Sequence, residues 1–318
     1  MFSKAYRLIL SFFYPSDEKE PKATTMPFVE FMRELSHTPK DSTTTTQPTT
    51  AAVRSNRITT VGAWCGTTSL RNPERDVAFA RAHGINRLDI IVNDHSRSRS
   101  KRKFSVRSQT KIVRLAKIAR DAGIEVHLMS WVMPHKEYIE QAAAVLLPLL
   151  AATEATSIQW DVEEPWTRAK GAMDYTEAAK LIEKQFASRS CRMGANGIGY
   201  TPQDKFAPIA NICDYIVPQA YSTTRNGADP STLVHKQVTR WKKNFGNVDM
   251  AIGLAAYRQS PKNALGDLSA KTRIRLAVQA AEREGADTVI YWSLRWIRKN
   301  KEVAAEISKV LAGTQHGN

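Results

Sequence analysis

Residues 157–166 read SIQWDVEEPW. Ile158, Trp160 and Val162 alternate with polar residues, the period of two that marks a β-strand. Alternation places Gln159, Asp161 and Glu163 on one face and Trp160, Val162 and Glu164 on the other. Two carboxylates two residues apart on a buried strand are costly unless they have partners or chemistry to perform. Like charges that close also push one pKa up, which keeps a protonated acid beside an ionised neighbour near neutral pH. The alternative is that both acids are salt-bridged by cations from adjacent strands, and those strands offer few.

This run is the fourth of eight. The others are ITTVGAW from residue 58, RLDIIVN from 87, EVHLMSWVM from 125, RMGANGIGY from 192, DYIVPQAYS from 214, DMAIGLAAY from 249 and DTVIYWSL from 287. Most are short and rich in β-branched or aromatic residues, like buried parallel strands. Helical patterns lie between them: Ile112, Leu115, Ala116 and Ala119 share one helix face, and SAKTRIRLAVQAAEREG is another such segment. Three helix ends carry the same punctuation, AHGIN, DAGIE and REGAD, where glycine takes the left-handed C-cap conformation just before a strand. Eight units of about 32 residues match the βα repeat. An open doubly wound sheet would show a glycine-rich phosphate turn after its first strand, and AWCGTTSLRNPE is not one. The fold class is therefore α/β, a (βα)8 TIM barrel with an N-terminal extension and flexible linker.

The barrel occupies residues 57–318. Residues 37–56 are Thr- and Pro-rich with almost nothing to bury, and read as a tether. Residues 1–36 begin with basic residues and the apolar run AYRLILSFFYP, but SDEKEPK follows without a small-x-small cleavage site, so a docking arm for a partner is favoured over a cleaved signal. No apolar stretch approaches the length of a spanning helix. The three cysteines, Cys65, Cys191 and Cys213, lie far apart, which excludes a disulfide scaffold and a cysteine-rich zinc module. Net charge is +15; residues 1–56 hold seven basic and six acidic side chains, so +14 belongs to the barrel. A body this basic attracts polyanions such as anionic wall polymers or nucleic acid.

Barrel chemistry sits where strands end and βα loops begin. Those positions carry Trp64, Asp94, Trp131, Asp161 with Glu163 and Glu164, Asn196, Gln219 with Tyr221, Tyr257 and Trp292. Aromatics recurring around one mouth suit sugar rings, whose apolar C–H faces match aromatic faces. Other barrel chemistries lack their residues. An amidohydrolase wants an HxH pair where the first strand has AWCG, and a Schiff-base aldolase wants a strand lysine in the C-terminal half of a run. A phosphate site would favour glycines where YRQSPKN and SLRWIRKN stand. A double-displacement glycosidase wants a second glutamate at the seventh strand end, which reads LAAYRQS. A mechanism in which the substrate's own acetamido group attacks the anomeric carbon needs only an acid and a nearby carboxylate, with no metal or cofactor.

At these residues the chain resembles glycoside hydrolase family 18, the chitinases and hevamine-type chitinase/lysozymes, whose fourth strand has the pattern D-G-x-D-x-D-x-E. The resemblance places Glu163 on the general acid and Asp161 on the aspartate that orients and stabilises the acetamido group. DYIVPQAYST is similar to the family's sixth-strand run, and puts Gln219 and Tyr221 on residues that hold the N-acetyl group. VIYWS places Trp292 on the tryptophan that floors the −1 sugar. There are departures: Thr156 and Gln159 stand for the first two aspartates, Ser130 is kept while SWVM lacks the glycines of S-x-G-G, and Ser222 stands for an asparagine. The D-x-E strand also resembles the family 25 muramidases, which use a similar pair on a comparable barrel.

Both families imply cleavage of β-1,4 links beside N-acetylhexosamine. Chitin is neutral and peptidoglycan with its attached polymers is anionic, so the basic body favours bacterial cell wall as substrate, with action outside the cytoplasm or from a virion-like or secretion particle. The basic loop at 97–103, RSRSKRK, lies on the catalytic side and is expected to grip anionic wall polymers; no aromatics are interleaved there to stack bases. The rival expectation is a catalytically silent barrel serving as a structural or glycan-binding module.

Overall fold

The computed structural model describes residues 57–93, 104–198, 203–223, 227–246, 248–258 and 268–312. The arm at 1–36, the linker at 37–56, Asp94 and the basic loop at 97–103 lie outside the described residues.

Nine strands form the sheet: β1 (Thr60–Cys65), β2 (Arg87–Ile91), β3 (Glu125–Trp131), β4 (Ser157–Asp161), β5 (Arg192–Ile198), β6 (Tyr215–Gln219), β7 (Asp249–Met250), β8 (Ile252–Ala255) and β9 (Thr288–Trp292). Every pairing among them is parallel. β1 pairs with both β2 and β9, and β5 continues through β6 and β8 back to β9, so the sheet closes. β7 and β8, separated by Ala251, are two pieces of one stave, which leaves eight staves around the barrel. The sequence showed that stave as one unbroken run.

Eleven helices are described, and most pack around the barrel: α1 (Thr67–Arg71), α2 (Pro73–Ala82), α3 (Gln109–Asp121), α4 (Lys136–Thr153), α5 (Glu164–Thr167), α6 (Tyr175–Gln185), α7 (Gln203–Ala210), α8 (Pro230–Phe245), α9 (Ala270–Arg283), α10 (Leu294–Lys299) and α11 (Lys301–Ala312). α3 buries Ile112, Leu115, Ala116 and Ala119 as its spacing predicts. After α2, α3 and α9 the glycines of the three shared punctuations take φ of 68°, 75° and 84° at Gly84, Gly123 and Gly285. Only residues without a Cβ visit that region cheaply, so each helix stops there and the next strand starts.

Alternation along the staves sorts the barrel interior into layers. Trp64, Ile91, Met129, Tyr215, Val217, Ala251 and Ile290 form the central apolar cluster, with Tyr221 and Trp292 packed on its upper side. Below lies a polar layer. Arg87 Nε and Nη2 donate to the two oxygens of Asp89 at 2.9 and 2.7 Å. Tyr215 shares a hydrogen bond of 2.7 Å with Ser157, whose hydroxyl lies 2.6 Å from His127 Nδ1. His127 is held below the usual histidine range by burial and by the Arg87 charge.

Gly194 is small for a specific reason. A Cβ there would stand inside the van der Waals envelope of the Tyr215 ring, which crosses the β5 backbone at that point. Tyr215 is buried and tied to Ser157 and Arg87, so the ring has no room to yield. Gly194→Ala should therefore destabilise the fold by about 3 kcal/mol, the upper end of ordinary overpacking. Urea unfolding of the variant checks this, and an unchanged midpoint would show that Tyr215 can move.

Candidate active site

Asp161 ends β4, and Glu163 is the residue before the short helix α5. Pro165 suits the first turn of that helix, and the amides of Trp166 and Thr167 donate to the Glu163 carbonyl at 3.1 and 3.0 Å. Trp160, on the alternate face, packs edge-on against Phe186 at 5.1 Å. The strand thus presents Gln159 and Asp161 inward, as its alternation predicts, with Glu163 above them at the mouth.

Asp161 is fully buried and Glu163 half-buried. Burial pushes the Asp161 carboxyl well above the ordinary carboxylate range, and the charge of Glu163 adds to the effect. Burial also lifts Glu163 to about 7; a hydrogen bond from Gln219 works against the rise and the charge of Glu164 adds to it. Neither acid forms an ion pair among the described residues, whereas Glu164 has Arg168 at 3.8 Å. The basic side chains of the two staves that flank β4 are engaged elsewhere: His127 of β3 meets the Ser157 hydroxyl at 2.6 Å, and Arg192 of β5 pairs with Asp249 at 2.9 Å. Asp161 Oδ1 is buried without a hydrogen-bond partner among the described residues.

A chain of amides runs beside the acids. Gln159 Oε1 accepts from Trp64 Nε1 at 2.9 Å and from Asn196 Nδ2 at 2.7 Å. Asn196 Oδ1 accepts from Gln219 Nε2 at 2.7 Å. All four residues are buried. Trp64 has no open face, so what it supplies is this hydrogen bond and packing.

Aromatic side chains line the mouth in sequence. Trp64 lies 5.7 Å from Trp292 and 6.5 Å from Tyr221, and Tyr221 lies 6.0 Å from Tyr257. Trp292, Tyr221 and Tyr257 are half-buried and so remain open to a ligand. Trp131 is buried, and its carbonyl accepts from Asn93 Nδ2 at 3.0 Å and Tyr138 at 3.2 Å. It is further built into the wall than a strand-end aromatic need be.

Three residues of this region were missed in the sequence. Trp296 on α10 extends the aromatic row, 6.4 Å from Tyr257. Asn93 also accepts from the Trp131 amide at 2.9 Å, tying the second stave to the third. Arg273 of α9 donates to the Ser222 hydroxyl at 2.7 Å and holds the chain just past Tyr221. Only Trp296 had a signal, lying four residues after Trp292 in a segment read for phosphate glycines rather than aromatics.

A cavity of about 510 Å3 lies at the opposite, N-terminal end of the barrel, lined by residues that include Arg87, His127, Tyr215 and Asp249. None of the candidate residues lines it. Among the described residues no helix is long and apolar enough to cross a membrane, and no group of three or more His, Cys, Asp or Glu could hold a metal ion. Burial raises the pKa of all three free thiols.

No protein-family model matches the chain, and no curated protein matches its sequence. Solved structures match in fold. A family GH18 chitinase from Chromobacterium violaceum aligns with a TM-score of 0.54 at 13% identity, covering 82% of this chain and 87% of that one. The spore cortex-lytic enzyme SleL of Bacillus megaterium aligns at 0.55 and 9% identity, covering 80% and 74%. A xylanase and alpha-amylase inhibitor protein from Scadoxus multiflorus aligns at 0.55 and 11% identity, covering 80% and 98%. At such identities the likeness is one of fold alone, and that fold is the (βα)8 TIM barrel.

Proposed function

We propose that this barrel is a glycoside hydrolase that cleaves β-1,4 bonds beside N-acetylhexosamine in bacterial peptidoglycan. The observation that carries the reading is the Asp161–Glu163 pair: two carboxyls raised by burial, Asp161 further by the Glu163 charge, with no ion pair to either among the described residues. Such a pair holds one proton between them across neutrality.

In the proposed reaction Glu163 gives its proton to the glycosidic oxygen as the C1–O bond breaks. The substrate's acetamido oxygen bonds to C1 on the opposite face, and Asp161 faces the acetamido N–H. Water then attacks C1, loses its proton to Glu163 and reopens the ring formed by the acetamido group, with net retention. Tyr221 and Gln219 hold the acetamido group, while Trp292 and Tyr257 meet the sugar faces.

Mass spectrometry of products from purified peptidoglycan and from chitin tests the reading. Reducing-end N-acetylhexosamine released from walls supports it, and intact polymers in both digests overturn it. The free enzyme's acid should also set the pH dependence: kcat/KM on walls falls as pH rises through about 7, where Glu163 loses its proton. Initial rates from pH 5 to 9 would expose a limb lying elsewhere.

A second reading, a barrel that binds glycan without cutting it, is favoured by Gln159 standing where the resemblance expects an aspartate, and by the inhibitor protein among the fold neighbours. It expects wall pull-down without released sugar.

A further inference from the structure

We propose that Trp64 is a positioning residue: its indole N–H sets the direction of the buried amide chain Gln159–Asn196–Gln219 and so delivers the last N–H of that chain to Glu163. The inference rests on the reading of Glu163 as the acid, and adds how its proton affinity is held with Gln159 in place of an aspartate.

Hydrogen-bond direction fixes the wiring. A side-chain amide has a donor end and an acceptor end, so a run of three amides can be wired either way at similar energy. An indole N–H can only donate. Because Trp64 Nε1 meets the first amide at 2.9 Å, Gln159 must present its oxygen there. That oxygen also receives Asn196 Nδ2 at 2.7 Å, so Asn196 must turn its own oxygen toward Gln219. Gln219 answers with Nε2 at 2.7 Å. Gln219 also faces the Glu163 carboxyl and holds its proton affinity down. Its Oε1 is buried without a partner among the described residues, so the group that meets Glu163 is the amide nitrogen.

With the wiring reversed, Gln219 would turn its oxygen to Glu163 and favour the protonated acid alone. A protonated Glu163 tolerates either direction, so the chain needs a fixed end to hold one, and Trp64 is that end. Gly253 leaves the space for it: a Cβ there would stand 3.1 Å from Trp64 Cη2 and 3.2 Å from Gln219 Cα. Burial of all four polar residues makes each misdirected group expensive, which is what makes the chain a switch rather than a loose cluster.

The test uses the full-length protein with Trp64→Phe, Asn196→Ala and the double variant. The midpoint of Glu163 is read by NMR of its 13C-labelled side-chain carboxyl without substrate. A single charge-assisted hydrogen bond corresponds to about one pH unit. Trp64→Phe should raise the Glu163 midpoint by about one unit and Asn196→Ala by a similar amount, and the double variant should add little more, because each breaks the same chain. On walls the alkaline limb of kcat/KM should move up with the midpoint.

An unmoved midpoint in Trp64→Phe alongside a lowered Tm would overturn the proposal, since loss of packing alone has that signature. Additive shifts in the double variant would overturn it as well. Should Trp64→Phe fail to fold, Asn196→Ala alone decides: no shift means no chain. The titration needs no turnover, so a wild type that leaves walls intact would sink the hydrolase reading while leaving this one to stand or fall on its midpoints.

Discussion

Glu163→Gln should abolish wall hydrolysis, with kcat down by about a thousandfold or more, as loss of a general acid without replacement requires. The substitution keeps the size of the side chain and an oxygen to accept from Gln219, so binding to walls should survive. Stability gives an independent check. The Glu163 carboxyl is raised from its ordinary 4.5 to about 7 in the fold. The fold therefore favours the protonated form: this contribution to stability is fully present below the unfolded pKa and is lost as pH rises through about 7. Asp161 is raised for the same reason and acts in the same direction. Between pH 5 and pH 8 the wild type should lose more Tm than Glu163→Gln, because the glutamine never charges. A variant that is inactive and also relatively stabilised at pH 8 identifies an acid kept at a cost to the fold. A variant that still clears walls removes Glu163 from the reaction.

The architecture was legible because buried parallel strands and the glycines between helix and strand are local signals: RLDII and TVIYW read as strands on their own, and Gly84, Gly123 and Gly285 cap the helices that precede them. The inward direction of Asp161 was legible for the same reason, since alternation needs no partner strand. What was not legible depends on neighbours far along the chain. Trp64 reads as a stacking surface in AWCG, and only closure of β1 near β4 turns it into the donor for Gln159. Likewise, the seventh stave reads as one strand, whereas β7 pairs with β6 near its lower end and β8 pairs with β9 and only at Gly253 with β6, leaving Ala251 between them.

A second inward pair, Arg87 and Asp89, shows the same spacing with the opposite outcome, and Asp89→Asn should cost about 4 kcal/mol of stability, the size seen when one member of a buried ion pair is removed. Side-chain exposure is 7% for Arg87 and 0% for Asp89. Burial opposes the Arg87 charge, but Asp89 and Tyr215 hold its pKa above the ordinary arginine value. Asparagine keeps the shape and removes the counter-charge, which strands a guanidinium that cannot give up its proton. For a barrel of this size that loss lowers Tm by about 10 °C, measured with urea and heat together. Replacing both members by apolar residues of similar volume, Arg87→Met with Asp89→Leu, should cost much less, because no charge is left uncompensated. If the double variant is as unstable as the single, the hydrogen bonds around Tyr215 rather than the charge are what the layer needs. Both doublets arise from residues two apart in sequence, and the partner's sign decides the result: opposite charges cancel in the lower barrel, while like charges stay uncancelled and raise the carboxyl pKa. The two variants should therefore divide cleanly, with Asp89→Asn losing Tm while its folded fraction still cuts walls, and Glu163→Gln keeping Tm and losing the cut.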